Sequence, residues 1–516
     1  MTDTMDSQDT PVRRIVIVGG GTAGWMAACR LAAARRDLSV TLVEDPAIPT
    51  IGVGEGTWPT MRATLSAIGI DEATFLTRCD ASFKQGSRFD RWRTGADDDS
   101  YYHPFTPPAD DAMIDAWASD TSRRYDDAVT EQVAVCDADL APRRREMPDY
   151  QGALNYAYHL DAGKFAALLT ERALDLGVTH LADSVIDVTL DGGDIAAVAT
   201  RSHGEVEGDL FIDCTGKAAL LIEKALGVGW VEHGGTLFND RALAAQVPVP
   251  AGSPIASETI GTAHEAGWIW DIALPTRRGI GCVFSSRHLD EDRARQILAD
   301  YVAKAVPSFD MADFAPRLIE FSTGHREQFW HRNCIALGMA SGFIEPLEAS
   351  AIVMIELALA DILADFPEKR SLMGVLSRRY NATFTTRWDR IVEFLKLHYV
   401  LSQRDEPYWR AHRDKAHWPD RLEELLSLWQ VRAPSGSDFP LATEIFPAES
   451  HQYVLYGMGF PPPSRGTTGP RGTAADNGRI ERVRQRARGL LSALPTNRTY
   501  LDALAAGARE KQKVTT

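Results

Sequence analysis

Beyond a polar leader, MTDTMDSQDT, the apolar pattern opens with RRIVIVGG, a run of β-branched residues that predicts a buried strand. A glycine-rich turn and an apolar helix from about 22 to 35 follow, then a second strand, SVTLVE, ending at Glu44. This is a βαβ opening. Asp161 is placed to cap a helix over 162–176, with Gly177 just past its end. Short alternating strands continue to about 213, with one hairpin turning near DGGD at 191–194. Residues 241–285 read again as strands, 290–303 as a helix, and 349–430 as long helices rich in Trp. The segment 461–478, PPPSRGTTGPRGTAADNG, predicts a flexible loop, and basic helices near 479–493 and 499–510 close the chain. The expected class is α/β with mixed sheets and a helical C-terminal region.

Three glycines in VGGGTAG, Gly19, Gly21 and Gly24, form GxGxxG between strand and helix, where backbone N–H groups and the helix dipole can hold a pyrophosphate. Glu44 ends the next strand about 20 residues on, where it can accept a hydrogen bond from a ribose hydroxyl. Two later elements favour FAD over NAD. GDLFIDCTG at 208–216 has the form of a strand returning to the nucleotide through Asp213 and Gly216, and NCIALGMASGFIEPLE at 333–348 is again a strand with small residues running into a helix. Flavoprotein oxygenases resemble this layout.

Composition narrows the partners. The 516 residues are 44% hydrophobic and 24% charged, enough for a large core, which excludes small disulfide scaffolds, coiled coils and wholly disordered chains. A net charge of −16 would repel a phosphate backbone and argues against nucleic acid. The most apolar run, 349–363, is interrupted by Glu356 and Asp361 and is too short to span a bilayer. The leader lacks the pattern of a secretory signal, and six scattered cysteines form no CxxC pair and so no zinc or other metal site. A cytoplasmic, membrane-free protein is expected. The arginines near 479–488 fit a solvated helix face.

In GWIWDIALP, Trp268 and Trp270 stand two apart and on a strand share one face, as two core tryptophans also would. With this segment the chain resembles the flavin-dependent tryptophan halogenases, whose signatures are GxGxxG and WxWxIP. Ala273 replaces the proline of the second signature. IGVGEGTWP at 51–59 looks like the family's mobile loop over the flavin, SFKQGSRF at 82–89 like the segment around its catalytic lysine, YHPF at 102–105 like part of its aromatic pocket, and FIEPLEASAI at 343–352 like its PLES region.

The resemblance implies an FAD-binding fold of the flavin monooxygenase type. Residues 1–350 would form a discontinuous, box-like FAD and halide module, and 351–516 a mainly helical cover for the substrate. It implies an enzyme that uses FADH2, O2 and chloride or bromide to form hypohalous acid and halogenate an electron-rich arene: tryptophan, indole or a related compound. Lys84 would hold the hypohalous acid or form a haloamine, and Glu348 would steady the cationic arene and help remove its proton. Ser350 and Ala351 would bind halide through their amides, His103 and Phe105 would sandwich the ring, and Trp268 and Trp270 would separate flavin from substrate. Thr22, Ala23, Val185, Met339 and Ile352 carry over as flavin contacts. Ala349 and Ala351 stand where the family has Ser and Gly. No reductase domain is evident, so FADH2 is expected from a separate NAD(P)H-dependent flavin reductase, and a homodimer stays open. The alternative is a single-component FAD-dependent aromatic hydroxylase.

Overall fold

The strand Arg14–Val18 runs through a glycine turn into the helix Thr22–Ala34, and the chain returns as Ser39–Glu44, parallel to the first strand. Gly19 has φ +111, and a Cβ there would lie 2.2 Å from the Cys214 carbonyl oxygen; one on Gly24 would lie 1.9 Å from that of Gly19. Only glycine at both positions lets the helix lie this close to the sheet. The computed structural model describes residues 10–48, 54–110, 112–441, 443–463 and 474–515.

These strands lie inside a six-stranded sheet ordered Trp330–His331, Cys334–Ala336, Leu210–Asp213, Arg14–Val18, Ser39–Glu44, Thr179–Ala182. All neighbours are parallel except the Trp330–His331 edge. A second sheet of seven strands runs Arg317–Glu320, Arg241–Pro248, Arg277–Phe284, Gly267–Ala273, Thr259–His264, Gly86–Asp90, Ser100–Pro104. It is antiparallel apart from the pairing of Thr259–His264 with Gly86–Asp90. Every residue of Gly267–Ala273 is buried, as in a strand covered on both faces. A small antiparallel sheet, Gly54–Gly56, Ala157–Asp161, Ser82–Lys84, lies against it, with Gly54 packed on Ile272 and Gly279.

Asp161 caps the helix Ala162–Asp175 by accepting from the Lys164 N–H, and Asp191 pairs with Asp194 across the expected hairpin. After Phe343 the described elements are helical, chief among them Ser350–Ala364 and the 28-residue Met373–Val400. Of the segment 461–478, residues 464–473 lie outside the described residues, and the helix Ala474–Ala493 already begins at 474. Its arginines find local acids: Arg479 with Asp110, Arg486 with Glu131 and Arg488 with Glu481. The last helix, Asn497–Thr515, is pinned beside the Ser82–Lys84 strand, where Asn497 Nδ2 donates to the Phe83 carbonyl at 3.2 Å. No helix among the described residues is long and apolar enough to cross a membrane, and the six cysteines are free and buried.

Candidate active site

The helix Thr22–Ala34 starts at Gly21 with no side-chain cap, and a Cβ on Gly21 would meet nothing within 4 Å. Among the described residues its first-turn N–H groups, those of Thr22 and Ala23 included, have no side-chain partner, the condition for receiving a pyrophosphate. The Glu44 carboxylate packs over Gly20 and lies 2.9 Å from His180 Nε2. Ala23 touches Gly338, which brings the short turn Gly338–Ala340, and Met339 within it, to the start of this helix. Val185 packs beside the cluster containing Val18 and Val43, and Ile352 is buried in the first turn of Ser350–Ala364. These residues fit an FAD. The strand ending at Asp213 returns to the glycine turn, with the Cys214 carbonyl against Gly19, and the Asp213 carboxylate is bonded locally. Its Oδ1 accepts from the Thr215 N–H and hydroxyl at 3.0 and 2.6 Å, and its Oδ2 from the Leu221 and Ile222 N–H groups at 2.8 and 2.9 Å. The carboxylate is consumed in holding the following turn.

Lys84 ends the small sheet at the point where the chain crosses to the seven-stranded one, and only 1% of its surface is exposed. Burial pushes its ammonium down to about 8, with Glu348 opposing the shift. Nζ lies 5.4 Å from the Phe105 ring centre and also packs against Gly56. Residues 51–53 of the loop before Gly56 lie outside the described residues. A cavity of about 20 Å³ joins Lys84 to Ser87, Thr259, Trp268, Glu348 and Ala349. That is room for roughly one or two heavy atoms.

Glu348 stands in the turn before the helix rather than in its first turn. Its φ is +64 and that of Ala349 is +54, two consecutive left-handed residues without glycine, each costing about 1–2 kcal/mol. The surroundings hold this geometry. Trp58 Nε1–H donates to the Glu348 carbonyl at 2.8 Å, His103 Nδ1 lies 2.8 Å from Glu348 Oε1, and His398 Nε2 lies 3.3 Å from the same oxygen. Burial works to raise the Glu348 carboxyl, but the charge and hydrogen bonding of His103, joined by His398, hold it well below the usual carboxylate range. Burial lowers His398, and Tyr101 OH contacts its Nδ1 at 2.6 Å. Ser350 and Ala351 open the helix, which has no side-chain cap; Ser350 Oγ is buried with no partner among the described residues, and Ala351 is exposed. Helical geometry at 351 does not require glycine.

His103 faces an aromatic box, its ring 5.7 Å from Phe394, 6.1 Å from Tyr453 and 6.5 Å from Phe446, with Phe394 and Phe446 stacked at 3.8 Å. Trp268 and Trp270 share a face, edge to face at 6.5 Å. Only Trp268 borders the lysine cavity; Trp270 lies over Gly281, where a Cβ would stand 2.0 Å from its ring.

The sequence therefore located Lys84, Glu348, His103, Phe105 and Trp268, which the fold brings together. It missed Trp58, Thr259, His398 and the Phe394–Phe446 stack. One signal for His398 was present: IVEFLKLHYV is wholly buried yet carries Glu393, Lys396 and His398, and a buried ionisable side chain needs a partner.

The sequence profile of the tryptophan halogenases matches residues 14–469. The 7-chloro-L-tryptophan 6-halogenase KtzR of Kutzneria sp. (strain 744) is 36% identical over 94% of this chain and 98% of its own. A tryptophan halogenase crystal structure from Shewanella frigidimarina NCIMB 400 superposes with a TM-score of 0.91 at 43% identity, covering 97% of this chain and 99% of the other. Tar14, a tryptophan C-6 flavin-dependent halogenase of taromycin biosynthesis, gives 0.89 at 36% identity, covering 95% and 99%. A cradle for a flavin dinucleotide, a buried lysine and a strained glutamate define a flavin-dependent halogenating enzyme. The chain belongs to the tryptophan halogenase family.

Proposed function

We propose that this protein halogenates tryptophan or a related indole, using FADH2 from a separate NAD(P)H-dependent flavin reductase together with O2 and chloride or bromide. The observation that carries this reading is the small cavity shared by Lys84 and Glu348, with His103 on the carboxylate and Phe105 on the ammonium. FADH2 with O2 supplies the oxidising equivalent that turns halide into hypohalous acid. The protein's own residues separate, hold and direct.

Gly19, Gly21, Thr22, Ala23, Gly24 and Glu44 hold the dinucleotide, and Val185, Met339 and Ile352 contact the flavin. The amides of Ser350 and Ala351, at an uncapped helix start, receive the halide. Trp268 and Trp270 keep the organic substrate away from the flavin. Lys84 donates from its ammonium to the hypohalous acid and polarises it, in a cavity too small to admit the substrate. With its value lowered to about 8, the ammonium, the form that donates, still predominates at pH 7. Glu348, ionised throughout the neutral range, faces the cationic arene and takes its proton. His103 and Phe105 bind the ring faces. Residues 1–350 make up the flavin and halide module and 351–516 the substrate cover, supported by the contribution of Phe394, His398, Phe446 and Tyr453 to the pocket. Family membership favours this reading over a single-component hydroxylase.

The test supplies FAD, a flavin reductase, NADH and O2 with chloride or bromide to the purified protein, against tryptophan, indole and phenols. Halogen isotope patterns that require the protein support the reading. Hydroxylated products instead, or NADPH oxidation by the chain alone, overturn it.

A further inference from the structure

The wall of the lysine cavity carries a hydroxyl that none of the roles above uses. Thr259 pairs in register with Ser87, and Ser87 with His103, so the three lie in one row across the seven-stranded sheet and share a face. Thr259 and Ser87 both border the cavity with Lys84 and Glu348. Behind Thr259 stands His159, wholly buried, with Nε2 2.8 Å from Thr259 Oγ1. His159 Nδ1 has no partner among the described residues.

This arrangement fixes a proton. A hydrogen on Nδ1 would be a buried donor with nothing to bond, which native proteins rarely tolerate, and a bare acceptor nitrogen is the milder fault. The proton therefore sits on Nε2 and is donated to Thr259 Oγ1. Burial and the nearby Lys84 charge both keep the imidazole neutral. With its oxygen accepting from His159, the Thr259 hydroxyl turns its own hydrogen toward the cavity.

Building on the halogenase reading, we infer that Thr259 is a second donor to the oxygen of the hypohalous acid held by Lys84, and that His159 is the positioning residue that aims it. Two donors on that oxygen pull electron density from the halogen. As the arene carbon bonds the halogen the O–X bond breaks, the leaving oxygen takes a proton from the Lys84 ammonium and departs as water, and the arene's own proton passes to Glu348. The contribution matters more here because Ala349, which also lines this cavity, offers no hydroxyl.

The experiment compares Thr259→Val, Thr259→Ser, His159→Phe and Thr259→Val/His159→Phe with the wild type, each first shown to bind FAD equally. It measures halogenated indole per NADH consumed, and oxidant captured by a soluble scavenger. The expected result is a fall of about ten-fold in product for Thr259→Val, with scavenger oxidation retained and Thr259→Ser within about two-fold of wild type. The double variant should be no worse than Thr259→Val alone, because His159 acts through Thr259. Unchanged product from Thr259→Val, or an equal loss in Thr259→Ser, overturns the inference while the wild type stays active. A wild type that yields neither halogenated product nor captured oxidant overturns the functional reading itself, and this inference with it.

Discussion

His103 Nδ1 lies 2.8 Å from Glu348 Oε1, with only 9% and 5% of the two side chains open to solvent. One histidine thus serves two demands, lining the aromatic box and fixing the carboxylate. Substituting His103→Phe keeps a ring face and removes the bond. Since a hydrogen bond to a charged group contributes about 1.5–3 kcal/mol, steady-state kinetics should show kcat falling about ten- to hundred-fold with KM for the arene changed less than about three-fold. A rise in KM at constant kcat would mean that His103 acts only as a wall.

The lysine predicts a pH profile. Its folded value is lowered to about 8, so the ammonium predominates below that pH and the amine above it. With the ammonium as donor, kcat should decline as pH rises through about 8. Glu348 is held so low that it adds no limb between about pH 5 and 8. A rise through 8 would assign the reactive form to the amine, and a flat profile would contradict a role for this titration.

The tryptophan wall rests on a glycine. An alanine at 281 would place its Cβ 2.0 Å from the Trp270 ring. Gly281→Ala should therefore destabilise the protein by about 1–3 kcal/mol and shift product from halogenated toward hydroxylated, as should Trp270→Ala. Thermal unfolding and mass spectrometry of the products check both parts. Unchanged halogenation with no oxygenation in either variant would remove Trp270 from the separating role.

What the sequence revealed was what neighbouring residues encode. The glycines of GxGxxG and the Asp161 cap are local patterns in which backbone geometry demands particular residues, and the structure shows them as such. Lys84, Glu348 and His103 were legible through short segments resembling a family. That the Asp213 carboxylate also holds the next turn was not legible, because the Leu221 and Ile222 amides it accepts from are placed by the fold and not by spacing. His398 is 50 residues beyond Glu348 on a long helix, and Thr259 meets Lys84 through a parallel strand pairing. Such contacts follow from how sheets stack and leave no spacing rule in the chain.

The most direct test of the account replaces Lys84 with alanine and follows halogen incorporation into indole by mass spectrometry, with reductase, NADH, O2 and bromide supplied and FAD binding matched to wild type. The expected result is a folded, FAD-binding protein that makes no halogenated product beside an active wild type, as a catalytic role for Lys84 requires. Residual halogenation above a few per cent of wild type would contradict it.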